Sequence, residues 1–131
     1  MDLGEYFEKT EGLGVLATAD AQGNVDAAIY ASPHVMDEVT VAFIMADRMS
    51  YRNLSGNPKA AYLFVEKGEG YNGKRLYLTK TGEQTDQQVI DSMRRRDRSV
   101  YQSDKGKSRL VHFKVEKIRA LIGDDFEQVG R

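Results

Sequence analysis

The run Val39-Thr40-Val41-Ala42-Phe43-Ile44-Met45 is β-branched and almost continuously apolar, the most strand-like stretch in the chain. Ala60-Ala61-Tyr62-Leu63-Phe64-Val65 predicts a second buried strand, and Leu76-Tyr77-Leu78-Thr79 a third. Leu110 to Val115 alternates with period two, so that Val111, Phe113 and Val115 face one way while Leu110, His112 and Lys114 face the other. Ile118 to Ile122 is a last strand candidate. Near the N-terminus, Val15 to Ala19 and Val25 to Ala31 flank Asp20-Ala21-Gln22-Gly23-Asn24, whose turn residues predict a β-hairpin with Gly23 free to adopt positive φ. Ser32-Pro33 ends the second arm, because proline cannot donate to a ladder. Helical spacing is confined to three short segments. Leu3, Tyr6 and Phe7 mark one; Asp47 to Ser55, anchored by Met49 and Leu54 and stopped by Gly56-Asn57-Pro58, is the second. Thr85 to Met93 is the third, with Thr85 and Gln88 at capping-box spacing and Val89, Ile90 and Met93 along one face.

Six or seven strands with short helices between them, joined by close connections, favour a mainly β fold whose antiparallel sheet curls or closes. The 131 residues suit one domain spanning 1–131, and no repeat or linker divides them. Nineteen basic and twenty acidic residues give a formal charge of −1, so no global field draws the chain to nucleic acid or membrane. Cysteine is absent, which excludes disulfides, thiolate metal sites and a thiol nucleophile. No apolar run approaches the roughly 18 residues of a membrane span, and no signal peptide is visible. The expectation is a soluble, cytoplasmic protein.

The chemistry concentrates between Phe43 and Pro58, where a buried strand leads through a polar helix into another buried strand. A helix start beside a strand end offers free backbone N–H groups and a favourable dipole to an anion. Arg48 and Ser50 fall at that start, where a guanidinium fork and a hydroxyl suit phosphate oxygens. Arg52 and Asn53 lie one turn on, within reach of the same group or of a ribityl hydroxyl. The spacing equally fits a helix capped by Ser50 or Asp47 with Arg48 and Arg52 solvated. Elsewhere the candidates are thinner. His34 follows Ser32-Pro33 in a loop with no companion ligand nearby, His112 reads as a surface or dimer contact, and no metal site is expected. Arg94-Arg95-Arg96-Asp97-Arg98 reads as a solvated helix end. The glycines from 68 to 73 follow no strand-to-helix junction and make a loop, not a phosphate cradle. No carboxylate pair suited to acid–base work is evident.

Leu16-Ala17-Thr18, Gly23 in the hairpin turn, the buried strand, the polar segment ending in Asn53-Leu54 and Asn57-Pro58 before another strand together resemble the FMN-binding split-barrel family typified by pyridoxamine 5′-phosphate oxidase. The resemblance covers residues 14 to about 65, and more loosely the strand at 108–115. It implies a six- to seven-stranded antiparallel split β-barrel that binds FMN, with the flavin phosphate held at Arg48 and Ser50 and with Asn53 nearby. Many relatives carry lysine or arginine where this chain has Ser50, which leaves Arg48, helped by Arg52, as the main phosphate charge. Ala28, Ile29 and Tyr30 match the strand that lines the isoalloxazine ring. Met45 and Ala46 match strand-end residues beside the ring and ribityl chain, and Asp47 follows in the same cofactor-binding segment. The family implies a homodimer with flavin at the interface, and Tyr71, Arg75 and Tyr77 are the candidates for contacts to the partner's flavin. It also implies an oxidoreductase or flavin-dependent reductase. The alternatives are a flavin-binding or electron-transfer protein without turnover, a split barrel that takes haem or a deazaflavin, and a barrel that has lost its cofactor. The chain lacks the basic and aromatic C-terminal segment that pyridoxamine-phosphate oxidases use on their substrate, so that activity is not expected.

Overall fold

The computed structural model describes residues 1–94 and 108–130. In chain order they form α1 (Leu3–Lys9), β1 (Gly12–Ala19), β2 (Val25–Ile29), β3 (His34–Val35), β4 (Thr40–Met45), α2 (Met49–Gly56), β5 (Lys59–Glu66), β6 (Gly73–Gln84), α3 (Gln87–Met93), β7 (Arg109–Ala120) and β8 (Phe126–Glu127). Six strands of five residues or more match the expected six to seven, and the two-residue strands β3 and β8 bring the sheet to eight. The two separate strands expected at 110–115 and 118–122 are one, because β7 runs unbroken to Ala120 and pairs along its length with β6. Arg95 to Arg98 and the turn expected at 105–107 lie outside the described residues.

Every pairing is antiparallel, and the spatial order is β2-β1-β5-β6-β7-β4-β3, with β8 added to β7. In a flat sheet three strand spacings would hold β4 about 14 Å from β5, and five would hold β2 about 24 Å from β4. Instead the Phe43 ring of β4 lies 5.0 Å from that of Tyr62 in β5. Tyr30, just past the end of β2, lies 5.8 Å from Phe43 edge to face. The sheet therefore rolls on itself around an aromatic interior, as a split barrel does. Leu16, Val41, Phe43, Met45, Tyr62, Phe64, Leu76, Leu78, Val111, Phe113, Val115 and Ile118 fill that interior, with Leu3 and Phe7 of α1 packed on it. The alternation expected along 110–115 is present. Val111, Phe113 and Val115 point into the barrel, while Leu110 turns outward to join Ala42, Ile44 and Ile90 beneath α3.

Local chemistry sets the connections. The hairpin closes through Asp20, whose carboxylate accepts from the N–H groups of Gln22 and Asn24, both at 2.9 Å, while Gly23 turns the chain at φ 87°. At α3 the cap is Asp86, one residue beyond the expected Thr85. Its Oδ1 accepts from the N–H groups of Gln88 and Val89, so a single carboxylate satisfies two orphan donors. A partly buried ion pair between Lys74 Nζ and Glu127, at 2.6 and 2.7 Å, fastens β8 to β6, and the same ammonium lies 4.7 Å over the Tyr6 ring of α1.

The rolled sheet leaves no room for a side chain at Gly14. A Cβ at Gly14 of β1 would overlap the Tyr62 hydroxyl and come within 2.6 Å of the Tyr30 carbonyl oxygen. Gly14→Ala is expected to lower stability by about 1–3 kcal/mol through overpacking. Gly82→Ala, whose Cβ would meet nothing within 4 Å, is expected to leave the urea midpoint of the parent unchanged.

Candidate functional site

β4 ends at Met45, opposite Arg109 of β7, and the chain turns through Ala46 and Asp47 into α2. Arg48 is the N-cap residue, with an extended backbone, and no side chain supplies a cap hydrogen bond. The structure thus decides against the capping alternative for Ser50 and Asp47. Asp47 is instead exposed and engaged by Arg52, whose Nε lies 3.0 Å from Oδ1 and whose terminal nitrogen donates to the Asp47 carbonyl at 3.2 Å. The first N–H to return into the helix is that of Arg52, bonded to the Arg48 carbonyl at 3.0 Å. Among the described residues no acceptor takes the backbone N–H of Met49 or Ser50. An eight-residue helix with an uncapped start keeps its partial positive charge available there.

The rest of the segment divides by helical periodicity. Ser50, Asn53 and Leu54 share the buried face, and Asn53 Nδ2 donates to Thr18 Oγ1 of β1 at 3.0 Å. Arg48, Met49 and Arg52 share the exposed one, so Met49 is no core anchor. Of the expected ligands the structure therefore leaves Arg48 and Asp47 on the surface, Ala46 half-buried, and Ser50 and Asn53 only 4% and 5% exposed. Met45 is entirely enclosed in the barrel core, so its side chain meets only protein. The ring-lining candidates split as well. Ala28 pairs with the inward Leu16, and Tyr30 packs on the core, whereas Ile29 points outward and is 65% exposed.

A polar cluster absent from the sequence reading stands against the first turn of α2. Tyr51 donates its hydroxyl to Glu83 Oε2 of β6 at 2.6 Å. Lys80 Nζ donates to the other oxygen at 2.9 Å, and Arg109 Nε lies 3.6 Å from the first. Lys80 and Arg109 also sit over the Tyr51 ring, at 5.5 and 6.0 Å from its centroid. Burial would raise the Glu83 pKa, but the hydrogen bonds from Tyr51 and Lys80 and the two nearby cations outweigh it and hold the carboxyl below its ordinary value. The bond to Glu83, followed by burial, pushes the Tyr51 phenol up. A register shift between Lys80 and Gly82 re-aims the end of β6 toward this group.

The outward side of β2, β1 and β5 carries Val25, Ala27 and Ile29, then Leu13, Val15 and Ala17, then Ala61, Leu63 and Val65, in direct cross-strand register. Val25 is 83% exposed and Leu13 54%. The same side continues onto β6 and β7 as Tyr77 and Arg75 opposite Lys117 and Arg119. Of the residues expected to reach a partner, Tyr71 is highly exposed, Tyr77 lies beneath the cations of Lys117 and Arg119, and Arg75 is spent on the carbonyls of Ala120 and Gly123. His34 lies on β3 and His112 on β7, both half-buried. The described residues hold no group of three or more His, Cys, Asp or Glu able to bind a metal, and no helix among them is long and apolar enough to cross a membrane.

A family model described as pyridoxamine 5′-phosphate oxidase matches residues 5–122. No curated protein sequence matches the chain. Among solved structures, an FMN-binding protein from Syntrophomonas wolfei subsp. wolfei superposes with a TM-score of 0.74 at 20% identity, over 93% of this chain and 85% of that one. HupZ of Group A Streptococcus gives 0.69 at 21%, over 95% of each chain. HutZ, the heme storage protein from Vibrio cholerae, gives 0.64 at 18%, over 89% and 90%. At these identities the likeness establishes a shared fold.

The Asn53–Thr18 bond is the polar tie between α2 and β1. Thr18→Val keeps the volume but leaves the buried amide without its acceptor, so it is expected to cost about 1–3 kcal/mol. Chemical denaturation of that variant, with circular dichroism to verify the fold, checks the magnitude.

Proposed function

Because the chain belongs to the pyridoxamine 5′-phosphate oxidase family, we propose that it is a cytoplasmic FMN-binding homodimer acting as an oxidoreductase or flavin-dependent reductase. The observation that carries this reading is the start of α2, where the buried strand β4 delivers an uncapped helix terminus with Arg48 at its cap position. That arrangement fits an anionic phosphate. Two unclaimed backbone donors, the helix dipole and one exposed guanidinium converge on a single turn. Ser50 contributes its backbone N–H there in preference to its buried side chain, so Arg48 takes the charge that a lysine or arginine at position 50 carries in many relatives. Arg52 is engaged with Asp47 and acts at second hand. Ala28, Tyr30 and Ala46 are the candidates for the ring and ribityl chain.

FMN, when bound, would supply the electron transfer, which agrees with a site that has no acid–base pair of its own. The residues of this chain bind the phosphate and orient the ring. The dimer reading rests on the outward face of β2, β1 and β5, an apolar sheet surface of the kind that soluble proteins cover with a partner. A second reading, haem in place of flavin, is favoured by the fold shared with HutZ. A deazaflavin is the other substitute.

The visible spectrum of purified protein, before and after addition of FMN, separates these at once. Flavin bands support the proposal, and a Soret band supports haem. Arg48→Ala is expected to weaken FMN about tenfold to a hundredfold, as for loss of a charge-assisted phosphate contact, with riboflavin affinity almost unchanged. Arg52→Ala is expected to matter less. Equal affinity of the parent for FMN and riboflavin would count against the phosphate role. Light scattering is expected to report a dimer for the parent and a monomer for Val15→Glu, which sets a charge in the centre of the outward face, between Ile29 and Leu63.

A further inference from the structure

An eight-residue helix does not hold itself in place, because isolated helices of that length barely form in water. Beyond its first turn α2 is tied by buried Leu54 and by the bond from Asn53 to Thr18, while within the first turn the Tyr51 ring packs against the core. The first turn carries the donors an anion would use, and the N-cap side chain makes no cap hydrogen bond to help hold it. What does hold that turn is Tyr51. Its side chain crosses to β6 and gives its hydroxyl to Glu83 at 2.6 Å, over a sequence separation of 32 residues. Glu83 in turn is fixed by Lys80 at 2.9 Å and by Arg109 at 3.6 Å, and both cations cover the Tyr51 ring. The group is half-buried, with side-chain exposures of 16% for Lys80, 27% for Glu83 and 32% for Arg109. Arg109 also stands directly opposite Met45, the last residue of β4 before the turn into α2. The cluster thus braces both ends of that turn.

We propose that Tyr51 and Glu83, backed by Lys80 and Arg109, form a positioning clasp that fixes the first turn of α2 for a ligand phosphate. Tyr51 and Glu83 touch no ligand in this scheme. They set the direction of the Met49 and Ser50 N–H groups and of Arg48. The inference rests on the phosphate reading given above, and it names the part of the fold that prepares that site.

The test compares FMN with riboflavin by fluorescence titration on the full chain. Tyr51→Phe removes the hydroxyl and keeps the ring beneath its cations. It is expected to raise the FMN dissociation constant about tenfold, to leave riboflavin within twofold, and to shift the melting temperature little. Glu83→Gln retains an acceptor for the hydroxyl while releasing Lys80 and Arg109. It is expected to fall between the parent and Tyr51→Phe, a partial rescue that simple loss of packing would not give. A parent preference for FMN that survives both changes intact overturns the clasp and leaves the phosphate reading standing. Equal losses of FMN and riboflavin also overturn it, by reducing the cluster to a general stabiliser. A parent that binds FMN no better than riboflavin removes the phosphate reading, and the clasp with it.

Discussion

Tyr62 donates its hydroxyl to the Tyr30 carbonyl at 3.1 Å while its ring packs on Phe43, Phe7 and Phe64 inside the barrel. That one side chain joins a central strand, β5, to the end of the edge strand β2 and to β4 on the far side of the sheet. The hydroxyl satisfies a backbone acceptor at the point where β2 ends and the chain leaves for Pro33. Losing that bond would cost of the order of 0.5–1.5 kcal/mol. The contact exists because Gly14 presents no Cβ between the two. Rolling of the sheet, the end of β2 and the aromatic packing are therefore one constraint seen from three sides.

The position of α2 follows from that rolling. Its buried face is polar at Ser50 and Asn53 and apolar at Leu54, an unusual mixture for a helix that must dock on a core. The mixture works because Thr18, on the inward side of β1, meets the Asn53 amide. Burying the amide removes it from the surface, so the exposed face is left to charged residues and Met49. A short polar helix could not otherwise keep its start uncapped beside a buried strand. The polar surface around it is organised by Glu83, which draws a lysine, an arginine and a phenol from three elements onto one carboxylate.

What could be read from residues alone was whatever neighbours in sequence decide. The hairpin around Gly23, the buried strand ending at Met45, the helix stopped by Gly56-Asn57-Pro58 and the alternation along 110–115 all depend on local rules, and all are present. The cap of α3 moved from Thr85 to Asp86, because a carboxylate accepting two amides outdoes a hydroxyl and the spacing rule does not weigh that. Ser50 and Asn53 read as surface ligands since polar residues on short helices are commonly exposed, yet the acceptor that takes the buried amide, Thr18, sits 35 residues away. The Tyr51 cluster left no trace in spacing at all. Its members come from α2, β6 and β7, and β6 shifts register between Lys80 and Gly82, just before Glu83. Family resemblance pointed to the segment; it did not show which of its faces turns outward.

The pairing of β4 with β7 carries a consequence for how the chain is made. Thr40 meets Lys114 and Met45 meets Arg109. The most apolar strand therefore stays without its main partner until more than sixty further residues have been synthesised. Only the two-residue β3 can pair with it meanwhile. Contacts of such sequence separation form slowly, since loop closure precedes any reward from pairing. During that interval Val41 to Met45 is a bare, uncharged β segment of the kind that associates between chains. The growing polypeptide is most vulnerable before residue 109 emerges, and a ribosome-bound holdase for exposed apolar strands would find its natural target at residues 40–45.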